Sequence, residues 1–407
     1  MKNCIFLQFY NCRDGQLSIK RQYNMMDDKI QDINDKKNTP LVDTTECGKD
    51  RRWGERKTQS LALSKAFRDC FVDTMIAEGW TREQAEDLAD DYHVNTKWIT
   101  KHRATSRCGE TLWFTRDADN RLKLWQAWFC KDRLCPMCNW RRALKYTAQV
   151  GQILQVMMER KITGKPIFAT FTMCNVAGED INQSFSDFAV SYARLMQYKA
   201  VKTYCMGAIR TSEITYNAKS DTYNTHIHCL MWMSPMYFKG AKSGGGYLSQ
   251  AKWTALWQKA ARLDYTPVVN VKAVKPRTPT DRDPTGLFSA VLETAKYPIK
   301  PDAFRELTTD VWQETDRQKQ ARLERIKHLE RGMYRKRLIS FFGVFKDIRK
   351  ELQLDNPEED DLVHVTNEET PAIACERYEY DYNRHDYYFA DREQIVDGIL
   401  RDWHEER

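Results

Sequence analysis

No stretch of this 407-residue chain stays apolar long enough to cross a bilayer. The apolar opening Cys4-Ile5-Phe6-Leu7-Gln8-Phe9-Tyr10 is too short for a signal-peptide core and lacks a small-residue cleavage site. A soluble, cytoplasmic protein with no membrane partner is therefore expected. Internal repeats are absent, so a repeat array is excluded. Without a secretion signal, the twelve cysteines point to thiols or a metal site rather than a disulfide framework. Charge of one sign does not dominate: 64 basic residues against 57 acidic ones leave a net +7, which is compatible with a polyanionic partner without requiring one.

Length allows two or three domains. Residues 1–55 are polar and patternless and are expected to form a mobile tail. Residues 56–160 read as a helical, cysteine-rich region. Apolar positions recur at helical spacing from Leu61 to Met75, a basic segment runs from Cys108 to Cys138, and a basic amphipathic helix follows from about Trp140 to Met158. Residues 161–303 alternate strands and helices. Strands are expected at Ile167 to Met173, Tyr204 to Tyr216, Thr225 to Met233 and Pro267 to Lys272, with helices near Ser184 to Lys199, Leu248 to Arg262 and Leu287 to Tyr297. Turn chemistry at Ala218-Lys219-Ser220-Asp221 makes the second and third strands a hairpin. Residues 304–407 read as helical and charged, with a basic run from Arg331 to Arg337 and an acidic, tyrosine-rich end.

Three constellations carry chemistry. In Thr225-His226-Ile227-His228 the two imidazoles project from one side of a strand and Ile227 from the other. They are half of a divalent-metal site, or else a pair of surface histidines. Glu213, on the partner strand of the hairpin, is the candidate third ligand; the alternative is a carboxylate paired with a nearby cation. Two imidazoles and one carboxylate suit Mn²⁺ or Mg²⁺ with positions left open for phosphate oxygens.

The second constellation is Cys130-x4-Cys135-Pro136-Met137-Cys138. Two thiolates at the spacing of Cys135 and Cys138 grip one zinc from a tight turn, and Cys130 and Cys108 complete a closed, structural Cys4 set. The alternative is a group of buried reduced thiols. Arg141, Arg142 and Lys145 follow directly and could hold DNA phosphates, unless they form an ordinary solvated helix face.

In the third, Glu293 and Tyr297 stand four apart and share one helix face. The Tyr297 phenol can attack phosphorus, Lys296 or Lys300 can neutralise developing charge, and Glu293 can act as general base for a second displacement. A plain surface face has the same spacing.

Taken in order, these blocks resemble the replication initiators of rolling-circle plasmids from Gram-positive bacteria, in the single-tyrosine branch of the HUH endonucleases. The resemblance rests on Phe129 to Lys145, Ile167 to Val176, Ser212 to Asn217, Thr225 to Met233 and Val291 to Lys300, with Asp264 to Val269 and Phe342 to Lys346 in support. It implies an α+β fold: an HUH domain with a central antiparallel sheet of ferredoxin-like type flanked by helices, a cysteine-rich helical region before it and a mostly helical region after it. It also implies that His226 and His228 bind the metal, that Tyr297 nicks DNA, that Glu293 promotes termination and that Glu213 is the third ligand. The implied partners are origin DNA and the host helicase and replication machinery, with a homodimer left open. One position departs from the family pattern. Where relatives carry a further histidine, this chain has Asn224, so the two-histidine core must suffice. A related transposase or relaxase shares the chemistry, and a non-enzymatic zinc-containing DNA-binding regulator would use only the cysteines and cations.

Overall fold

The computed structural model describes residues 38–45, 48–117, 120–239, 245–278, 307–308, 314–365, 374–396 and 399–402. In chain order the principal elements are α1 (Trp53–Ala77), α2 (Arg82–Asp90), α3 (Lys97–Arg107), β1 (Thr111–Arg116), β2 (Leu122–Ala127), α4 (Pro136–Glu159), β3 (Lys165–Thr172), α5 (Ile181–Gln197), α6 (Lys199–Lys202), β4 (Cys205–Asn217) and β5 (Thr222–Met233). They continue with α7 (Gln250–Ala261), β6 (Val269–Ala273), α8 (Asp316–Gly332), β7 (Ile339–Gly343), α9 (Val344–Glu351), β8 (Ala374–Asp381), β9 (Asp386–Val396) and β10 (Ile399–Asp402). The fold class is α+β, with two antiparallel sheets among the described residues. The chain divides into two compact units, one of residues 1–55, 110–128 and 369–407, the other of residues 56–109 and 129–368.

The larger unit is built on the sheet β6-β3-β5-β4-β7, all of whose neighbours run antiparallel. Its first four strands arise from the chain order β3-α5-β4-β5-α7-β6, the split βαβ arrangement of ferredoxin-like domains. The hairpin expected at Ala218 to Asp221 joins β4 to β5; Asp221 adopts φ +49°, and Lys219 N donates to Asn217 Oδ1 at 3.1 Å. Helix α5 buries Ile181, Phe185, Phe188, Tyr192 and Leu195, a 4-3-4-3 spacing that makes one apolar stripe. Helix α7 adds Trp253 and Trp257 after Ser249 caps its N-terminus by accepting from Lys252 N. Both helices pack on the sheet face that carries Phe171, Ile227, Cys229 and Met231. The opposite face is covered by Tyr146, Val150, Ile153 and Leu154 of α4 and by Phe345 and Ile348 of α9, which sit on Ile209, Leu230 and Trp232.

The cations Arg141, Arg142 and Lys145 require a correction. They are only 3–4% exposed and do not form a DNA-facing surface. Arg141 donates to the carbonyls of Leu362 (2.9 Å) and Val363 (2.5 Å), Arg142 to that of Asp132 (3.1 Å), and Lys145 to that of Asp361 with an ion pair to Asp355. A buried cation is tolerable only when its donors are satisfied; the segment from Asp355 to Val363 supplies the acceptors of Arg141 and Lys145, and Lys131, Asp132 and Asn139 supply those of Arg142.

The smaller unit holds the sheet β10-β9-β8-β1-β2. The acidic, tyrosine-rich end, expected to be helical or a tail, is therefore β-structure: Tyr378, Tyr380 and Tyr387 are buried. Phe114 meets Trp53 and Tyr378 edge-on at 5.6 and 5.9 Å, while the Trp53 indole donates to Asp43 Oδ2 at 2.8 Å. The end of the expected tail is also packed, since Leu41 N donates to Tyr387 O at 2.8 Å.

Candidate metal centres

Antiparallel register places Glu213 directly opposite His226, and Thr211 and Thr170 on either side of His228. Directly paired residues project from the same face. All of these side chains therefore leave the sheet on the side away from α5 and α7. Glu213 Oε2 lies 3.4 Å from His226 Nε2 and 3.6 Å from His228 Nε2, and one ligand atom from each of the three residues falls within 4.8 Å of the others. All three are partly buried.

The hydrogen bonds on the far side of the rings show why this set fits a cation. His226 Nδ1 lies 3.3 Å from the carbonyl of Asn224, which can only accept, so Nδ1 carries the proton. In the neutral form that binds metals, the ring then turns its Nε2 lone pair toward a carboxylate oxygen, and two acceptors held together are stabilised by a positive charge between them. His228 Nδ1 lies 2.9 Å from Thr170 Oγ1, and its ring stacks on Phe168 with centroids 5.3 Å apart. Adjacent ligands of an octahedral ion at about 2.1 Å stand roughly 3 Å apart, so a small inward movement brings the three atoms to one centre.

Asn224, the position that departs from the family pattern, uses its side-chain amide on Asn175 Oδ1 at 2.8 Å. Thr170 and Phe168 are supporting residues that composition and motif did not single out. Their signal was the period-2 position of Thr170 on the strand next to the histidines. Replacing Thr170 by valine is expected to weaken Mn²⁺ binding by about 10- to 100-fold. Calorimetric titration checks this, and unchanged affinity would remove Thr170 from the site.

Tyr297, Glu293, Lys296 and Lys300, together with the helix expected at Leu287 to Tyr297, lie outside the described residues.

The four cysteines converge in the same unit. Cys108 is the C-terminal cap residue of α3, Cys135 caps the N-terminus of α4, Pro136 takes the first helical position and Cys138 follows in the first turn. Sγ separations are 3.5 Å for Cys108–Cys138, 3.6 Å for Cys130–Cys138 and 3.7 Å for Cys108–Cys135. No pair is bonded, and tetrahedral thiolates about 2.3 Å from one zinc would stand roughly 3.8 Å apart. Backbone N–H groups serve the sulfurs: Cys130 N donates to Cys108 Sγ at 3.4 Å, and Lys131, turned left-handed at φ +58°, donates to Cys138 Sγ at 3.2 Å.

Burial pushes the Cys108 and Cys138 thiols well above their ordinary range. Burial opposes ionisation of Cys135 too, but hydrogen bonds from Cys108, Cys130, Cys138 and Ser60 bring it well below. Lys57, fully buried, was missed from sequence because it lies in a helical stripe far from the knuckle. Its ammonium donates to the carbonyls of Ser106 (2.5 Å) and Cys108 (3.1 Å), a cation suited to offset the negative charge of four thiolates on a dication.

The profile of the Replication protein family, Rep_1, matches residues 121–389. The chain is 38% identical over 329 residues to Protein rep of Streptococcus pneumoniae serotype 2, covering 81% of this chain and 88% of that protein. It is 36% identical over 315 residues to Protein rep of Lentilactobacillus hilgardii (76% and 94% covered) and 34% identical over 352 residues to Protein rep of Lactiplantibacillus plantarum (85% and 98%). No solved structure matches. No helix of the described residues is long and apolar enough to cross a membrane. From the extent of these matches, the chain belongs to the Rep_1 replication-protein family, the plasmid Rep proteins that its motif blocks resemble.

Proposed function

We propose that the protein starts rolling-circle plasmid replication by nicking one strand at the double-strand origin, as a metal-dependent, site-specific DNA endonuclease and strand transferase. The observation that carries this reading is the convergence of Glu213, His226 and His228 on the sheet face opposite α5 and α7, inside a chain of the replication-protein family. An Mn²⁺ or Mg²⁺ ion bound there would polarise the scissile phosphate.

The remaining chemistry belongs to residues assigned from sequence alone. The Tyr297 phenol oxygen bonds to phosphorus as the phosphorus–O3′ bond breaks. The departing 3′ oxygen takes up a proton in place of the one the phenol loses and is free to prime synthesis, while the 5′ end stays on tyrosine. Lys296 and Lys300 neutralise charge on the phosphoryl oxygens. At termination Glu293 takes the proton of an incoming water or 3′-hydroxyl as the phosphorus–tyrosine bond breaks, and the phenolate recovers a proton. Cys108, Cys130, Cys135 and Cys138 hold a structural Zn²⁺ with no position left for substrate. Host helicase and polymerase extend the exposed 3′ end, in the cytoplasm.

Tyr297→Phe separates this enzyme from a non-enzymatic DNA-binding regulator. Nicking of origin DNA with Mn²⁺ is expected to fall to background while origin binding, read by gel shift, is retained. A wild-type protein that binds the origin and never nicks it would sink the reading.

A further inference from the structure

The basic run between Arg331 and Arg337 leads directly into β7, the edge strand beside β4. Beside it is a groove of about 820 Å³ lined by seven cationic side chains and two carboxylates. Arg335, Arg337, Lys346 and Lys350 are exposed on its walls and make no ion pair among the described residues. Several cations elsewhere in this unit are held by carboxylates, as in Arg68–Asp90, Lys319–Asp69, Arg322–Glu314 and Lys327–Asp73. One of the two carboxylates, Glu358, is turned to Arg133 at 3.4 Å and Arg142 at 4.0 Å. The groove therefore presents uncompensated positive charge.

Below the walls lies the half-buried Phe341 ring, backed by the buried Tyr146. Tyr146 and Phe341 stack with centroids 6.5 Å apart, and the Arg349 guanidinium lies 4.8 Å from the Phe341 ring, anchored by donating to Asp355 O at 2.6 Å. Cationic walls over a stacking platform are the means by which proteins hold single-stranded nucleic acid without reading its sequence.

Position links the groove to the triad. Ile339 pairs with Thr211, which pairs with His228, so the three side chains leave the same sheet face. Two strand spacings, about 10 Å, separate the His228 backbone from that of Ile339, a groove-lining residue. Ser212 N donates to Leu338 O at 2.7 Å and Arg210 donates to Arg337 O at 3.4 Å, tying the entry of β7 to the strand that carries Glu213.

We propose that this groove is the track for the single DNA strand entering the triad, with Arg335, Arg337, Lys346 and Lys350 on successive phosphates and the Phe341–Arg349 pair under a base. The inference rests on the nicking reading for its substrate, but its test does not need cleavage. Binding of the full chain to a fluorescein-labelled single-stranded oligonucleotide lacking the origin sequence is followed by anisotropy across a salt series, with no added divalent ion. The combined Arg335→Ala, Arg337→Ala, Lys346→Ala and Lys350→Ala protein is expected to bind about tenfold or more weakly at low salt, with a salt slope shallower by roughly 0.7 for each phosphate no longer neutralised. The charge-preserving Lys346→Arg, Lys350→Arg protein is expected to keep wild-type affinity, which guards against misreading a folding defect. Unchanged affinity and slope in the alanine variant would overturn the track, as would a loss confined to a duplex probe. A wild type that binds through these cations but does not nick with Mn²⁺ would support the groove while removing the nicking reading.

Discussion

Alanine at His228 is expected to lower Mn²⁺-supported nicking by roughly 10²- to 10³-fold, the loss of several kcal/mol of charge stabilisation at the scissile phosphate. The ring contributes one of only two imidazoles to the set, since the position two residues before His226 is Asn224 and its amide is engaged with Asn175. With His228 gone, one imidazole and one carboxylate remain, too few ligands to hold an ion firmly while leaving open positions. The substitution also removes the stacking on Phe168, so unfolding temperature must be measured alongside activity. Glu213→Gln is the companion variant: it keeps the shape, removes the charge facing both Nε2 atoms, and is expected to lose Mn²⁺ affinity as well. A His228→Ala protein that nicks at the wild-type rate would make the histidine pair a feature of sheet packing.

Cys138→Ser is expected to unfold the region around the knuckle. A structural zinc contributes an apparent 10–16 kcal/mol, about as much as the whole stability of an ordinary domain. Cys138 is fully buried, sits within 3.6 Å of two other sulfurs and accepts the N–H of Lys131, so serine leaves a poor ligand and a buried polar group in its place. Helix α4 begins at this knuckle and carries Tyr146, Val150 and Ile153 onto the sheet, so the damage should spread into the core beneath the triad. Zinc content and thermal unfolding check the expectation. A metal-free Cys138→Ser protein with wild-type stability would establish the alternative of packed, reduced thiols.

The parts of this molecule legible in the sequence were those set by local pattern. The His-x-His strand alternates cleanly, with Ile227 in the core and both imidazoles on the opposite face, and the turn at Ala218 to Asp221 fixed the register that brings Glu213 opposite His226. The cysteine spacing likewise anticipated the cluster. What could not be read depended on partners distant in the chain. Arg141 and Lys145 look like a solvated helix face until the acceptors at Asp361, Leu362 and Val363, more than 200 residues on, are seen closing over them.

The strand character of the tyrosine-rich end was hidden by two physical features. A bulge between Arg377 and Tyr378 breaks the period-2 alternation. Glu376, a charge in the middle of the segment, is nonetheless buried, held by Arg116 at 2.9 and 3.1 Å and by the Tyr378 hydroxyl at 3.1 Å. The main partner of Glu376, Arg116, stands 260 residues earlier in the chain.

The central claim, that the Glu213-His226-His228 set serves a tyrosine that cuts DNA, is tested most directly by mapping the covalent adduct. Purified full-length protein is incubated with single-stranded origin DNA with and without Mn²⁺, digested, and the DNA-linked peptide identified by mass spectrometry. The account predicts an adduct on Tyr297 that requires the metal and is lost in His228→Ala. An adduct on another tyrosine, or one that forms equally well without metal, would contradict it.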